Sequence, residues 1–180
     1  MQILKVISWV LGLLVVTLAL LLLVAPTHVQ LSRMVIIEAP ASRVWGYLIH
    51  FREFNHWNAW KKADPGARYS ISGRDGHVGA VDTWKGEKIG EGQLEHVALQ
   101  PFTRVKQRLT FIRPWQATGN VIFSLSEAEG HTTVIWTFEA DYPRPQNVLG
   151  LFMETSIKRD FEEGLGNLKQ LVEAGGKQEP

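Results

Sequence analysis

Six consecutive segments alternate apolar and polar residues with a period of two, and this run constrains the fold more than any other feature. Gly, Asp, Pro or Asn residues separate the segments over short distances. The six segments are residues 69–72, 78–85, 90–99, 104–112, 116–126 and 132–141. A parallel return between strands needs a long crossover, so strands joined by short turns pair as antiparallel neighbours. The sequence therefore predicts a curved antiparallel meander.

Other patterns flank the meander. Residues 28–38 are rich in β-branched side chains and predict one more strand. Residues 43–54 carry apolar positions at three- and four-residue spacing, which predicts one or two short amphipathic helices with Ser42 as the cap. From Asn147 to about residue 173, apolar residues follow one stripe of a long helix. That stripe must lie on the concave face of the sheet. The predicted fold class is α+β, with about seven antiparallel strands wrapped around a long C-terminal helix.

An uncharged apolar run occupies residues 6–25, between Lys5 and Pro26. A helix rises about 1.5 Å per residue, so a run of about 20 residues spans about 30 Å of hydrocarbon. The run predicts one transmembrane helix and contact with a membrane. The alternative is a cleaved signal peptide, which the large Leu23 near the end of the run disfavours, because cleavage needs a small residue there. A lipoprotein anchor is excluded because the chain has no cysteine.

The run divides the chain into three predicted parts. They are an N-terminal transmembrane anchor over residues 1–27, a domain over residues 28–175 and a flexible tail over residues 176–180. Lys5 and the terminal amine are nearly balanced by Arg33 and Arg43 beyond the run. We expect a single-pass topology with the N-terminus inside and the domain on the extracytoplasmic side.

Charge and composition exclude several classes of function. The chain has 19 basic and 18 acidic residues, and every charged residue except Lys5 follows the apolar run. This balance argues against a nucleic-acid partner, which selects a basic surface. The six histidines are scattered, with no pair three or four residues apart, and no Gly-x-Ser-x-Gly motif occurs. The sequence therefore predicts no metal site and no cofactor. The glycines at positions 73, 76 and 79 predict positive φ in a hairpin rather than a phosphate-binding loop.

Short motifs occur in a defined order between residues 35 and 172. They are IIEAP at 36–40, VW at 44–45, FNHWNAW at 54–60, GHVGA at 76–80 followed by Trp84, Pro101 ahead of RV at 104–105, and FEEGLGNL at 161–168. Together they resemble the SRPBCC superfamily of START domains, birch-pollen-allergen-like proteins and polyketide cyclase/dehydrase-like proteins. The resemblance is closest to bacterial members with an N-terminal hydrophobic helix. It implies a helix-grip fold with a deep apolar cavity, used in relatives for lipids, sterols, hormones or polyketides, and it supplies no catalytic motif.

Strand alternation and the long helix indicate which side chains face such a cavity. The candidate ligand-binding residues are Trp57, Trp60, Trp84, Val105, Leu109, Phe111, Phe123, Trp136, Phe152, Ile157 and Phe161. The alternative for each of them is a place in a filled core, which is the commoner role of buried aromatic residues. The segment 56–60 has the same two interpretations, as a rim that recognises a ligand or as a plug over one end of the sheet.

Three functions agree with these features. The first is a membrane-anchored domain that binds a hydrophobic small molecule or lipid between the sheet and the C-terminal helix. The second is a polyketide cyclase/dehydrase-type enzyme, which an inward-facing His or Asp with a shifted pKa would favour. The third is a protein-interaction module without a ligand. No catalytic residue is assigned, and the lack of reactive groups favours binding over catalysis.

Overall fold

The computed structural model describes residues 2–175, except for the side chains of Leu4 and of residues 149–154. Five helices and seven strands occur in that part of the chain. In chain order they are α1 (Gln2–Val24), β1 (His28–Ile37), α2 (Ala41–Ile49), α3 (Phe51–Trp57), α4 (Trp60–Ala63), β2 (Arg68–Ser72), β3 (Val81–Lys85), β4 (Glu91–Gln100), β5 (Arg104–Arg113), β6 (Ala117–Ala128), β7 (His131–Asp141) and α5 (Asn147–Gly175). The predicted tail at 176–180 lies outside the described residues.

The seven strands form one sheet in the order β1-β7-β6-β5-β4-β3-β2. Every neighbouring pair is antiparallel, so β2 to β7 form the meander that the short turns predict. β1 adds to the far side of β7, with Leu31 opposite Phe138. A register shift between His96 and Ala98 interrupts the β4–β5 ladder. Such irregularities bend strands and help a sheet to curve around a helix. The predicted α+β helix-grip fold is confirmed.

The turn between β2 and β3 is longer than its sequence pattern indicates. The predicted strand begins at Val78, whereas β3 begins at Val81. Gly76 and Gly79 have φ of 80° and 85°, a left-handed conformation that interrupts an extended strand. Gly73 has φ of 77°, so the predicted positive φ of these three glycines is confirmed.

The start of α2 differs from the predicted cap. Ser42 lies inside the helix, and Pro40 occupies the N-cap position. The Pro40 side chain makes no capping hydrogen bond. Instead, the backbone N–H of Ala41 donates to Glu127 Oε2 at 2.7 Å. A carboxylate from β6 therefore satisfies a free N–H of the helix, which joins α2 to the sheet.

Helix α5 packs its apolar stripe on the concave face of the sheet. Phe161, Leu165, Leu168 and Val172 are buried along it. A Cβ added at Gly164 would lie 3.0 Å from Cζ3 of Trp136 on β7. The helix backbone thus approaches the sheet closely at this glycine, which is why a residue of low helix propensity occurs there.

Helix α1 projects from this domain, and its described side chains are exposed except for the half-buried Leu22. Within the described residues it is the one helix that is long and apolar enough to cross a membrane. Its last carbonyl groups receive hydrogen bonds from the domain. Arg144 donates from Nε to Leu22 O at 2.9 Å, and Asn147 Nδ2 donates to Ala25 O at 2.8 Å. These side chains satisfy carbonyl groups that a helix end leaves free.

Candidate ligand-binding cavity

A cavity of about 350 Å³ lies between the sheet, the helices α3 and α4, and α5. This volume is within the range of small-molecule sites. Its lining is mostly apolar and aromatic. The apolar side chains are Phe54, Trp60, Trp84, Ile89, Leu94, Leu109, Phe111, Val121, Phe138, Ile157 and Phe161, and the others are Asn55, Tyr69, Asp82, Ser156 and Asp160.

Strand register places the sheet side of this lining on one face. Tyr69 of β2 is opposite Trp84 of β3, and Leu94 of β4 is opposite both Asp82 and Leu109 of its neighbouring strands. Because side chains alternate along a strand, these directly paired positions project to the same side. Four successive strands thereby supply one continuous wall.

A glycine shapes this wall. A Cβ added at Gly92, which is opposite both Trp84 and Phe111, would lie 2.7 Å from Thr110 O and would collide with the Trp84 ring. The absence of a side chain at Gly92 lets the indole lie close against β4. Trp84 and Phe111 then meet edge to face, with ring centroids 6.0 Å apart.

The sequence-predicted candidates fall into three groups. Six of them line the cavity: Trp60, Trp84, Leu109, Phe111, Ile157 and Phe161. Four are buried without lining it: Trp57, Val105, Phe123 and Trp136. The side chain of Phe152 lies outside the described residues. The second group lies in the hydrophobic core, which is the alternative position for each candidate, and the ligand-binding role of the candidates stays a prediction.

The four buried candidates pack behind the cavity because aromatic rings fill that part of the interior. Trp136 lies 5.4 Å from Trp57 and 5.0 Å from Phe123, measured between ring centroids. Trp57 Nε1 donates to Tyr47 O at 2.9 Å, which satisfies its buried N–H. Strand parity alone does not separate these positions from the cavity wall. The core positions differ from the cavity wall because α3 and α5 pack directly over them.

Hydrogen bonds tie the segment 56–60 to its own backbone and to α5. Asn58 is 3% exposed, and its Oδ1 accepts hydrogen bonds from the backbone N–H groups of Trp60 and Lys61 at 2.9 and 3.2 Å. Asn167 Nδ2 of α5 donates to Trp57 O at 3.0 Å. These bonds fix the segment against α5, and Trp60 alone of its tryptophans reaches the cavity.

Sequence reasoning missed the most unusual residue of the cavity. Asp82 is 2% exposed and lies on a wall that is otherwise made of apolar and aromatic side chains. Its Oδ2 accepts a hydrogen bond from Asn55 Nδ2 at 2.9 Å, whereas its Oδ1 has no hydrogen-bond partner among the described residues. Burial raises the pKa of Asp82 from its ordinary 3.8 to about 6, and the Asn55 bond opposes part of that rise.

Tyr69 is a second polar group of the cavity. Its hydroxyl oxygen is buried and has no hydrogen-bond partner within the described chain. Burial raises the pKa of Tyr69 to about 12, with a further contribution from the negative charge of Asp82. The phenol therefore keeps its proton at neutral pH and remains a hydrogen-bond donor.

Asp160 lies on the opposite wall, on α5. Burial raises its pKa, while Arg159, whose Nη2 lies 3.6 Å from Asp160 Oδ1, and a hydrogen bond from Trp60 lower it. Unlike Asp82 Oδ1, this carboxyl group has charged and hydrogen-bonding partners, which are Arg159 on its own helix and Trp60 on α4. It thereby holds Trp60 against α5 at the edge of the cavity.

One histidine faces the interior outside the cavity. His96 is completely buried and stacks on Phe51, with ring centroids 4.2 Å apart. Its Nε2 lies 2.7 Å from Ile49 O, which accepts only, so Nε2 carries the proton. Burial lowers the pKa of His96, which keeps the ring neutral. His96 therefore joins β4 to the end of α2.

The signal for Asp82 was present in the sequence pattern. It occurs two positions before Trp84, on the same face of the same predicted strand. A carboxylate on the inward face of a strand is costly to bury and therefore marks a functional candidate. Among residues 2–175, no group of three His, Asp or Glu side chains could hold a metal ion.

The cavity lies toward the end of the sheet that adjoins α1. β1 begins and β7 ends there, where His28 pairs with Asp141. The β3–β4 and β5–β6 turns lie at the same end, because each strand runs antiparallel to the next. Trp84, Ile89 and Phe111 lie within or next to these turns and line the cavity.

Known structures share this fold at low sequence identity. Protein CV1439 from Chromobacterium violaceum superposes with a TM-score of 0.58 at 16% identity, over 82% of this chain and 98% of its own. The Aha1 protein from Colwellia psychrerythraea, solved as a dimer, gives 0.59 at 20% identity, over 82% of this chain and 98% of its own.

A third structure is DynU16, from the dynemicin biosynthetic locus. It gives a TM-score of 0.58 at 19% identity, and the match covers 83% of this chain but 48% of DynU16. At these identities the likeness establishes the fold alone.

Comparison of the amino-acid sequence with known protein families identifies the family of this chain. No curated protein matches the chain. The profile of the family described as polyketide cyclase / dehydrase and lipid transport matches residues 28–173, which include the whole sheet and nearly all of α5. The chain therefore belongs to the polyketide cyclase/dehydrase and lipid transport family, within the SRPBCC superfamily that its motifs resemble.

Proposed function

We propose that this chain binds a hydrophobic small molecule or lipid in the cavity between the sheet and α5, and holds it beside a membrane. The observation that carries the proposal is the cavity itself, about 350 Å³ in volume and lined by eleven apolar side chains. Burying apolar surface from a ligand there is favourable by about 25 cal/mol per Å². The family description, which includes lipid transport, agrees with this use.

Two features support retention of α1 as a membrane anchor. Nearly all of its described apolar side chains are exposed, as expected for a helix surrounded by lipid. Arg144 and Asn147 of the domain donate hydrogen bonds to its last carbonyl groups, and cleavage of a signal peptide would leave both side chains without these partners. The mass of the mature protein tests this directly, since cleavage near Ala25 would remove the helix.

Exposed apolar residues at the same end support contact with the bilayer. Trp115 in the β5–β6 turn is 55% exposed and Ile112 just before it is 45% exposed. Tryptophan favours the interface between hydrocarbon and water. With α1 leaving the domain at this end, the cavity would lie close to the lipid from which a ligand enters.

The orientation of the anchor is a separate proposal. We place the domain on the extracytoplasmic side, as the sequence predicts. Protease added to intact cells or spheroplasts should then cut the domain. A domain that is cut only after lysis would place it in the cytoplasm, without affecting the proposal about the cavity.

Binding can be tested with N-phenyl-1-naphthylamine, a neutral apolar probe whose fluorescence rises in apolar sites. The full chain in detergent should show a saturable signal above that of detergent alone. Ile157→Trp places a larger ring in the lining and should weaken the saturable binding by about 10-fold or more. Thr155→Trp, at an exposed position of the same helix outside the lining, is the matched control. Equal binding by all three proteins would refute the proposal.

A second candidate function is acid–base catalysis, and Asp82 is the observation that favours it. A buried carboxyl group with a pKa of about 6 can both accept and donate a proton near neutral pH. It lies in a cavity that would hold a reactive apolar chain in one conformation. A carrier returns its ligand unchanged, whereas a dehydrase returns a product of lower mass and a cyclase returns an isomer with a different chromatographic retention. Liquid chromatography with mass analysis of a ligand recovered after incubation with wild type and Asp82→Asn separates the two functions.

A further inference from the structure

Two buried oxygen atoms of the cavity have unused hydrogen-bonding capacity. Asp82 Oδ1 and the Tyr69 hydroxyl each have no hydrogen-bond partner among residues 2–175. They belong to neighbouring strands: Tyr69 pairs with Trp84, and Asp82 occurs two positions earlier on the same face. Side chains at such diagonal positions are about 7–8 Å apart at the backbone, within reach of one bound group between them. Buried polar atoms in native proteins seldom lack a hydrogen-bond partner.

The charges around the cavity limit which ligands fit. Its lining contains two carboxyl groups, Asp82 and Asp160, and no Lys, Arg or His. Asp82 is mostly ionised at neutral pH, since its pKa is about 6. A fatty acid carboxylate or a lipid phosphate would bring a second negative charge into a site without a cation, which costs several kcal/mol. The lining therefore selects against anionic head groups.

The Asp82 carboxylate and the Tyr69 hydroxyl differ in the hydrogen-bond partners that they need. The ionised Asp82 Oδ1 accepts hydrogen bonds only, whereas Tyr69 both donates and accepts. An ammonium group would donate to Asp82 and to the Tyr69 oxygen, but it offers no acceptor for the Tyr69 O–H. An ether or ketone would satisfy Tyr69 but offers no donor for Asp82. A hydroxyl group supplies both a donor and an acceptor.

We infer that the cavity selects apolar molecules that carry a hydroxyl group, with the ligand O–H donating to Asp82 Oδ1 and its oxygen accepting from the Tyr69 O–H. The inference rests on the proposed function and specifies its ligand class. The apolar remainder of such an alcohol lies along Leu94, Leu109 and Phe111. Asn55 positions Asp82, because its Nδ2 holds the other carboxylate oxygen at 2.9 Å.

Asn55 also makes the Asp82→Asn variant informative. Asn55 Nδ2 is a donor, so the new side chain would turn its amide oxygen toward Asn55 and its NH₂ toward the cavity. Asn55 Oδ1 accepts a bond from Asn58 Nδ2 at 3.2 Å, which keeps Asn55 in this orientation. The substitution thus converts an acceptor facing the ligand into a donor and changes the shape of the site little.

The experiment measures displacement of N-phenyl-1-naphthylamine from the full chain by dodecanol, dodecyl methyl ether, dodecanoate and dodecane. Wild type should prefer dodecanol over the ether by about 10-fold or more, as expected for a buried hydrogen bond to a charged group. Dodecanoate should compete least among the three oxygen-containing compounds. Asp82→Asn should lose the preference for the alcohol over the ether. Tyr69→Phe should weaken alcohol and ether alike relative to dodecane.

The outcomes separate this inference from the proposed function. Equal displacement by alcohol and ether in wild type, or the same alcohol preference in Asp82→Asn, would overturn the inference while leaving an apolar binding site. Failure of all four compounds to displace the probe would overturn the proposed function and the inference with it. Dodecane binding by each variant reports an intact cavity, and Tyr69→Phe provides the test if Asp82→Asn does not fold.

Discussion

The ring of Trp136 on β7 stacks on the ring of Phe161 on α5, with centroids 3.9 Å apart and 12° between the planes. Trp136 is part of the core behind the cavity, whereas Phe161 also lines the cavity. This pair therefore fixes how closely the long helix approaches the sheet. It sets one boundary of the space in which a ligand would lie.

The stacked pair gives a prediction about stability. Phe161→Ala should lower the free energy of unfolding by about 3–5 kcal/mol, because it removes a ring that is 2% exposed and leaves a cavity. Chemical denaturation of the full chain in detergent measures this change. Leu171→Ala on the exposed side of the same helix, where the side chain is 40% exposed, should change the free energy by about 1 kcal/mol or less. Similar losses for both variants would contradict the grip of α5 by the sheet.

Two glycines of α5 should respond differently to alanine. A Cβ at Gly166 meets nothing within 4 Å, so Gly166→Ala should stabilise the protein by about 0.5–1 kcal/mol through helix propensity. A Cβ at Gly164 would lie 3.0 Å from Trp136, whose ring is held by Phe161 and cannot move away. Gly164→Ala should therefore stabilise the protein less than Gly166→Ala does, or destabilise it. Thermal unfolding of the two variants side by side checks the difference, and an equal gain from both would show that the helix is not in close contact at Gly164.

Asp82 should make stability fall as pH rises. Its folded-state pKa of about 6 exceeds its ordinary 3.8, so between these values the folded state retains a proton that the unfolded state releases. The resulting stability is present below about pH 4 and is lost as pH rises through about 6. Relative to Asp82→Asn, wild type should lose about 2 kcal/mol between pH 4 and pH 7. Denaturation series across this range measure the difference, and parallel profiles for the two proteins would show that the carboxyl group is not buried as described.

The hydrogen bonds to the end of α1 should hold the helix at a fixed angle to the domain. The chain has no cysteine, so spin labels can be placed on single introduced cysteines at Leu11 and Arg104 without background. Replacing Arg144 and Asn147 together by alanine removes the donors to the last carbonyl groups and should broaden the distance distribution between the labels.

Gln146→Ala is the matched control for this experiment, because the Gln146 side chain is exposed and lies between the two donors. Its distance distribution should equal that of the wild-type sequence. An unchanged width in the double variant would mean that these bonds do not set the orientation of α1.

The architecture was accessible from sequence because it depends on local patterns. Period-two alternation and short turns dictate an antiparallel meander, and one apolar stripe on a long helix dictates what the helix must cover. The motif from Phe54 to Trp60 and the glycines of α5 also resemble a known family, which supports the same fold. Turn boundaries were less accessible, since the late start of β3 at Val81 depends on the positive φ of Gly76 and Gly79.

The cavity was only partly accessible. The alternation of side chains along a strand identifies the inward face but not how deeply each side chain is covered. It therefore predicts Trp136 and Phe123 in the cavity, although they pack behind it. Asp82 and Tyr69 belong to no known catalytic motif, so sequence motifs do not identify them, and only their inward positions on strands mark them as candidates. Their importance arises from burial, which depends on the packing of α3 and α5 against four strands.

The central claim is that the cavity holds an apolar ligand, and native mass spectrometry of the full chain purified in a mild detergent tests it most directly. The account predicts a bound apolar molecule that is retained by wild type and by Thr155→Trp and is lost from Ile157→Trp. A wild-type protein without any bound molecule, even after incubation with dodecanol, would contradict the account, as would an adduct that persists unchanged in Ile157→Trp.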